Sequence, residues 1–97
     1  MEKKTNKYQL TLTLQQYANG ESEPPKHLAL EFINHDEIFG IIERLQAVDP
    51  FDDSAQATEF AIGLKLFSEV MVKNRNNPLF EELMPAFSSF MKRLKSM

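Results

Sequence analysis

Two histidines, three clustered aspartates and one asparagine-rich corner are the residues of this chain whose types could do chemistry. His27 lies near Glu31, and His35 precedes Asp36 and Glu37. A divalent metal could in principle take both imidazoles and one carboxylate. No HxxxH or HExxH spacing sets two imidazoles on one helix face, however, so His35 reads as helix-start polarity and His27 as a surface strand residue. Asp49, Asp52 and Asp53 look like the opening of a calcium loop, but the turn glycine and closing glutamate are missing at their required offsets. Helix capping explains them better. With no cysteine in the chain, disulfides, thiolate metal sites and a cysteine nucleophile are excluded. Nucleophile motifs, GxSxG and SxxK alike, are not expected. Gly20, Gly40 and Gly63 form no phosphate-cradling loop. The expectation is no metal, no cofactor and no catalytic residue, which leans away from an enzyme.

One ligand site is plausible. Lys73, Asn74, Arg75 and Asn77 combine two cations and amide donors with the start of a predicted helix, where backbone N–H groups can receive an anion. Asn-rich turns also arise for conformational reasons alone, because Asn tolerates turn geometry. Nucleic-acid binding would need a broader basic stripe or stacking aromatics, and the net charge of −3 argues against it.

The elements that must hold these residues follow from periodicity. From Tyr8 to Tyr17 and from Lys26 to Asn34 the chain alternates, with Leu10, Leu12 and Leu14 set against Thr11 and Thr13, and Leu28, Leu30 and Phe32 against His27, Ala29 and Glu31. Each reads as a strand with one buried and one wet face. Asn19-Gly20 and Pro24-Pro25 signal the turn between them. Asn34 with Glu37 fits a capping-box start for a helix carrying Ile38, Ile41, Ile42, Leu45 and Val48. A second helix, about Ser54 to Lys73, is expected to be central. Phe60, Leu64, Phe67, Val70 and Met71 make its core stripe, Ala57, Ala61 and Val72 widen it, and Ile62 and Leu66 form an apolar pair outside it. Gly63 on that stripe is expected to admit the close approach of another element. Asn74 or Asn76 is expected to end the helix in the left-handed conformation, and Asn77 with Pro78 to start a third, whose stripe runs from Leu79 and Phe80 to Leu94. Residues 1–97 are thus expected to form a single α+β domain, a two-layer arrangement of antiparallel β-hairpin and three helices (ββααα).

Charge is uneven: +1 over residues 1–30, −7 over 31–59 and +3 over 60–97. Acids at predicted helix starts and Lys92, Arg93 and Lys95 at a helix end match the macrodipole. Although Met1–Lys7 is basic, an alternating strand follows it, so no signal peptide is read. No apolar run approaches ~18 residues. The expectation is a cytoplasmic protein without membrane or nucleic-acid partners.

Phe39-Gly40-Ile41-Ile42-Glu43-Arg44-Leu45, Ala61-Ile62-Gly63-Leu64-Lys65-Leu66-Phe67 and Lys73-Asn74-Arg75-Asn76-Asn77-Pro78-Leu79-Phe80 carry a family resemblance. The chain resembles a group of small bacterial proteins known only as a domain of unknown function. The resemblance implies a compact bacterial α+β protein with no established activity, catalytic residues or cofactor, so no functional residue is carried over from it.

Two functions remain open. The favoured one is a non-enzymatic binding or protein-interaction module with an unknown protein partner or a homodimer, using a strand edge or Ile62 and Leu66. The alternative is a small-ligand or anion binder, or a minor enzyme, using Lys73, Asn74, Arg75 and Asn77. Elemental analysis of tag-free protein should find no stoichiometric transition metal. A metal that His27→Ala or His35→Ala removes would overturn that expectation.

Overall fold

Alternation along residues 6–34 becomes an antiparallel hairpin in the computed structural model, which describes residues 4–97. Residues 1–3 of the basic segment lie outside the described residues. Strand β1 runs Asn6–Leu14 and β2 runs Lys26–Asn34, with Leu10 opposite Leu30, Leu12 opposite Leu28 and Thr11 opposite Ala29. Side chains directly opposite share a face, so the leucines line one side and the threonines the other, as alternation requires. β1 stops at Leu14 rather than at Tyr17. Residues beyond it are drawn into the turn: Tyr17 N–H donates to Glu21 O at 2.7 Å and Gly20 N–H to Tyr17 O at 2.9 Å. Gly20 has φ +93°, a region that favours glycine.

The hairpin base is closed by polar contacts. The Asn6 amide Nδ2 donates to Asn34 O at 3.3 Å and Asp36 O at 3.2 Å, and the Tyr8 hydroxyl donates to Asp36 O at 3.0 Å. Asn34 is buried, and its Oδ1 accepts from Asp36 N–H at 2.9 Å. Asn34 is therefore spent on a turn and does not cap the following helix, a correction to the capping-box expectation. Burial of the whole leucine face is also corrected: Leu12 is 68% exposed, Leu28 59% and Leu30 43%. A lone two-stranded hairpin has no second layer of its own to cover that face.

The chain divides into two compact units, the hairpin through Glu37 and a helical unit from Ile38. In the second, α1 spans Ile38–Val48, α2 Ser54–Lys73 and α3 Leu83–Lys95, with a 3-10 turn at Pro78–Phe80. Asp49 ends α1 at φ 54°, and its N–H donates to Leu45 O at 2.9 Å. Asp52 also has φ 54°, a conformation that aspartate tolerates better than most residues. Asp53 is the N-cap of α2, where its Oδ1 accepts from Ala55 N–H at 2.9 Å and Gln56 N–H at 3.2 Å. The aspartate run is turn and cap chemistry. No acid lies within the first turn of α1 or α2, whereas Lys92, Arg93 and Lys95 do fill the last turn of α3.

The core of this unit is Leu45 packed on Ala57 and Ala61, with Ile41, Ile42, Phe60 and Leu94 around it. Ala57 and Ala61 are 0% exposed. Spaced i, i+4, they share one line along α2, and their small side chains let α1 approach. The expected stripe is therefore displaced: Phe67 and Val70 are exposed, while Met71 is buried. Gly63 is exposed, and a Cβ there would meet nothing within 4 Å. The expected close approach at Gly63 is corrected; the alanines provide it.

The third helix is not continuous from Pro78. Pro85 is the third residue of α3, where a missing N–H costs nothing. A helix continuing back through Glu81 would set the Pro85 ring against the Glu81 carbonyl. The chain instead makes one 3-10 turn and restarts at Leu83. That break changes the helical phase, burying Phe80 and leaving Leu79 77% exposed.

Gly63→Ala should raise unfolding stability by about 1 kcal/mol through helix propensity alone. Ala61→Leu should lower it by ~1–3 kcal/mol through overpacking. Chemical-denaturation midpoints check both, and a destabilised Gly63→Ala would restore the close-approach reading.

Candidate functional site

The end of α2 uses its polar residues on its own backbone. Asn74 has φ −123°, not the left-handed conformation expected of Asn74 or Asn76, and its N–H donates to Met71 O at 3.1 Å. Its Nδ2 donates to Val70 O at 2.8 Å, so a side chain terminates the helix in place of a left-handed residue. Asn77 caps the 3-10 turn: its Oδ1 accepts from Leu79 N–H at 2.9 Å. Lys73 Nζ lies 3.8 Å from Glu69 Oε1, one helical turn back. That exposed pair contributes little to stability. Arg75 is exposed. The four residues lie within five positions of one another at the end of α2, and two of them, Asn74 and Asn77, are already engaged as caps.

His27 and His35 are not brought together. His27 opposes Thr13 near the start of β2, and His35 follows its end, with Nε2 3.5 Å from Asp36 Oδ1. An extended strand separates the two by about 25 Å, too far for one ion. Among the described residues no group of three or more His, Cys, Asp or Glu is placed to hold a metal.

Ser89-Phe90-Met91-Lys92 corrects the expectation that nucleophile motifs are absent, since it has the Ser-x-x-Lys spacing used by some serine enzymes. Both polar residues are exposed on α3, and the SDN and KTG partners of that motif are missing from the chain. The spacing is one turn of an amphipathic helix.

Periodicity did not reveal how the phenylalanines connect. Phe51 meets Phe60 at 5.3 Å between ring centroids, and Phe60 meets Phe90 at 6.1 Å, both edge-on. The series continues through Phe87 to Phe67 and Phe80, each step between 6.1 and 6.2 Å. Two shallow clefts flank the Phe51–Phe60 pair. One, of about 240 Å³, is lined by Pro50, Phe51, Phe60, Phe90, Leu94 and Met97 with Arg93. The other, of about 420 Å³ and widely open, reaches Gln56, Glu59 and Gly63. The signal for them was Phe51, an aromatic residue inside a loop.

The apolar surface divides between the units. Ile62 and Leu66 on α2 are half-buried. On the hairpin, Leu12 and Leu28 stand directly opposite each other and exposed, with Leu30 beside them.

An antiparallel two-stranded hairpin followed by three helices defines an α+β protein whose recognisable chemistry is capping and packing. The chain belongs to the family described as a domain of unknown function with a solved structure, DUF3861, whose profile matches residues 6–96. It is similar to the crystal structure of a protein of unknown function from Pectobacterium atrosepticum SCRI1043, at 34% identity and a TM-score of 0.83, covering 97% of this chain and 100% of that one. None of the curated proteins compared matches the chain. No helix among the described residues is long and apolar enough to cross a membrane.

Asn77→Ala should cost about 1 kcal/mol by removing the cap on Leu79. An unchanged melting curve would show that the Asn77 side chain is available for another role.

Proposed function

We propose that this chain is a non-enzymatic protein-interaction module of the bacterial cytoplasm, a single α+β domain that binds through the leucine face of its hairpin. One observation carries the reading. Leu12, Leu28 and Leu30 are exposed as neighbours on one sheet face, and contiguous apolar surface of this kind marks contact sites. The cytoplasm suits a chain that uses no cysteine. Ile62 and Leu66 are a secondary contact, smaller because each is already half-covered. The Lys73–Asn77 corner has less behind it as a ligand site, since Asn74 and Asn77 already hold backbone groups.

The test is capture with a tagged copy from cells that also express an untagged copy. After brief crosslinking in the cell, the wild type should retain a polypeptide, its own copy or another protein. Leu12→Thr/Leu28→Thr, which keeps strand propensity, should lose it while the circular dichroism spectrum stays unchanged. A wild type that retains no polypeptide, or a variant that retains the same one, overturns the reading.

A further inference from the structure

The outer edge of β1 differs from that of β2 in a way that selects a partner. Natural edge strands are protected by charge, proline or bulges. From Tyr8 to Leu14, β1 has no charged residue, no proline and no glycine, and it pairs residue for residue with β2, without a bulge. β2 carries Lys26, His27 and Glu31. Among the described residues the sheet has only these two strands. Among the described residues, the backbone hydrogen bonds made outside helices and sheet do not involve Leu10 to Leu14. Leu12, with Thr11 and Thr13 on either side, is exposed.

We infer that β1 pairs with β1 of a second copy, antiparallel about a twofold axis at Thr11, to make a four-stranded sheet. The inference rests on the interaction-module reading and names its partner. The sequence of β1 is matched about that centre. Thr11 meets Thr11 of the second copy, Leu10 meets Leu12, Gln9 meets Thr13, and Tyr8 meets Leu14. Residues paired this way have the same parity, so both leucine rows fall on one face and join into a single apolar strip. Lys7, the one charged residue of β1, falls opposite Gln15, so no like charges meet. Pairing β1 with β2 of another copy would be head-to-tail and would leave one β1 edge open in any pair, whereas β1 with β1 closes at two chains.

The contact is small. Seven paired residues span about 24 Å and a sheet layer is about 10 Å thick. That covers on the order of 250 Å² per copy, against the ~800 Å² of a standard interface. The dimer is therefore reversible and builds up with concentration.

Because the chain lacks cysteine, single cysteines report the register cleanly. Directly opposite strand residues have Cα atoms about 4.5–5.5 Å apart, within the reach of a disulfide. Thr11→Cys under mild oxidation should give covalent dimer in at least about tenfold greater yield than Thr13→Cys or Ala29→Cys. Those two positions are displaced from their own copies by ~13 Å along the strand and by about three strand spacings, respectively. Sedimentation equilibrium of the wild type up to about 100 µM should show mass rising from one chain toward two, as a weak interface requires.

Highest yield at Ala29→Cys would assign the pairing to β2, and highest yield at Thr13→Cys would refute the Thr11 axis; either overturns the inference while leaving the interaction module standing. One-chain mass throughout also overturns it. In that case, capture of a different protein that Leu12→Thr/Leu28→Thr abolishes preserves the broader reading, and capture of nothing removes both.

Discussion

Ala57 and Ala61, both completely buried on the face that α2 turns toward α1, are the contact around which the helical unit is arranged. An alanine pair one turn apart leaves room for Leu45 to seat between helices, with Ile41 and Ile42 closing the sides. Larger residues there would hold α1 away and strip those side chains of their partners. Gln46 Nε2 donates to Thr58 Oγ1 at 2.9 Å across the same pair of helices, a polar contact beside the apolar one. Interiors pack at crystal-like density, so the size of two methyl groups sets the position of a whole helix.

The phenylalanine series depends on that placement. Once α2 presents Ala57 and Ala61 to α1, Phe60 and Phe67 lie on an adjoining strip, within reach of α3 and the Pro78–Phe80 turn. Each edge-on or tilted ring contact adds about 0.5–1.5 kcal/mol beyond area burial. A run of such contacts from Phe51 to Phe80 is thus comparable with a sizeable part of a small domain's total stability. The series also explains why Phe67 and Phe90 remain partly exposed without being loose: each touches two other rings.

The hairpin is held by different means. At its base, buried Asn34 and the Asn6 and Tyr8 side chains gather backbone carbonyls and an N–H, while Tyr8 stacks on Phe32 at 5.3 Å. Toward the turn the polar contacts give way to bare leucines. The association proposed above uses the outer edge and one face of a strand pair that is closed at one end and apolar at the other. This is the mode by which sheets recognise other strands: backbone hydrogen bonds supply attraction and alternate side chains supply register.

What the sequence by itself determined is much of what depends on neighbours along the chain. Period-two alternation located both strands and their faces, Asp53 and Asn77 announced their caps, Asp49 to Asp53 read as turn chemistry, and the motifs at residues 39–45, 61–67 and 73–80 pointed to the family. The Lys73–Asn77 corner was legible as a cluster, because its members are adjacent in sequence. Only the tertiary structure decided which of several apolar arcs on α2 is buried, since a helix apolar around most of its circumference has no single preferred face. It selected the alanine arc, leaving Gly63 open and Phe67 at the surface. It also decided that Asn34 serves the hairpin base. Exposure of Leu12 and Leu28 was likewise invisible to periodicity, because alternation tells which side of a strand is apolar and says nothing about whether anything covers it.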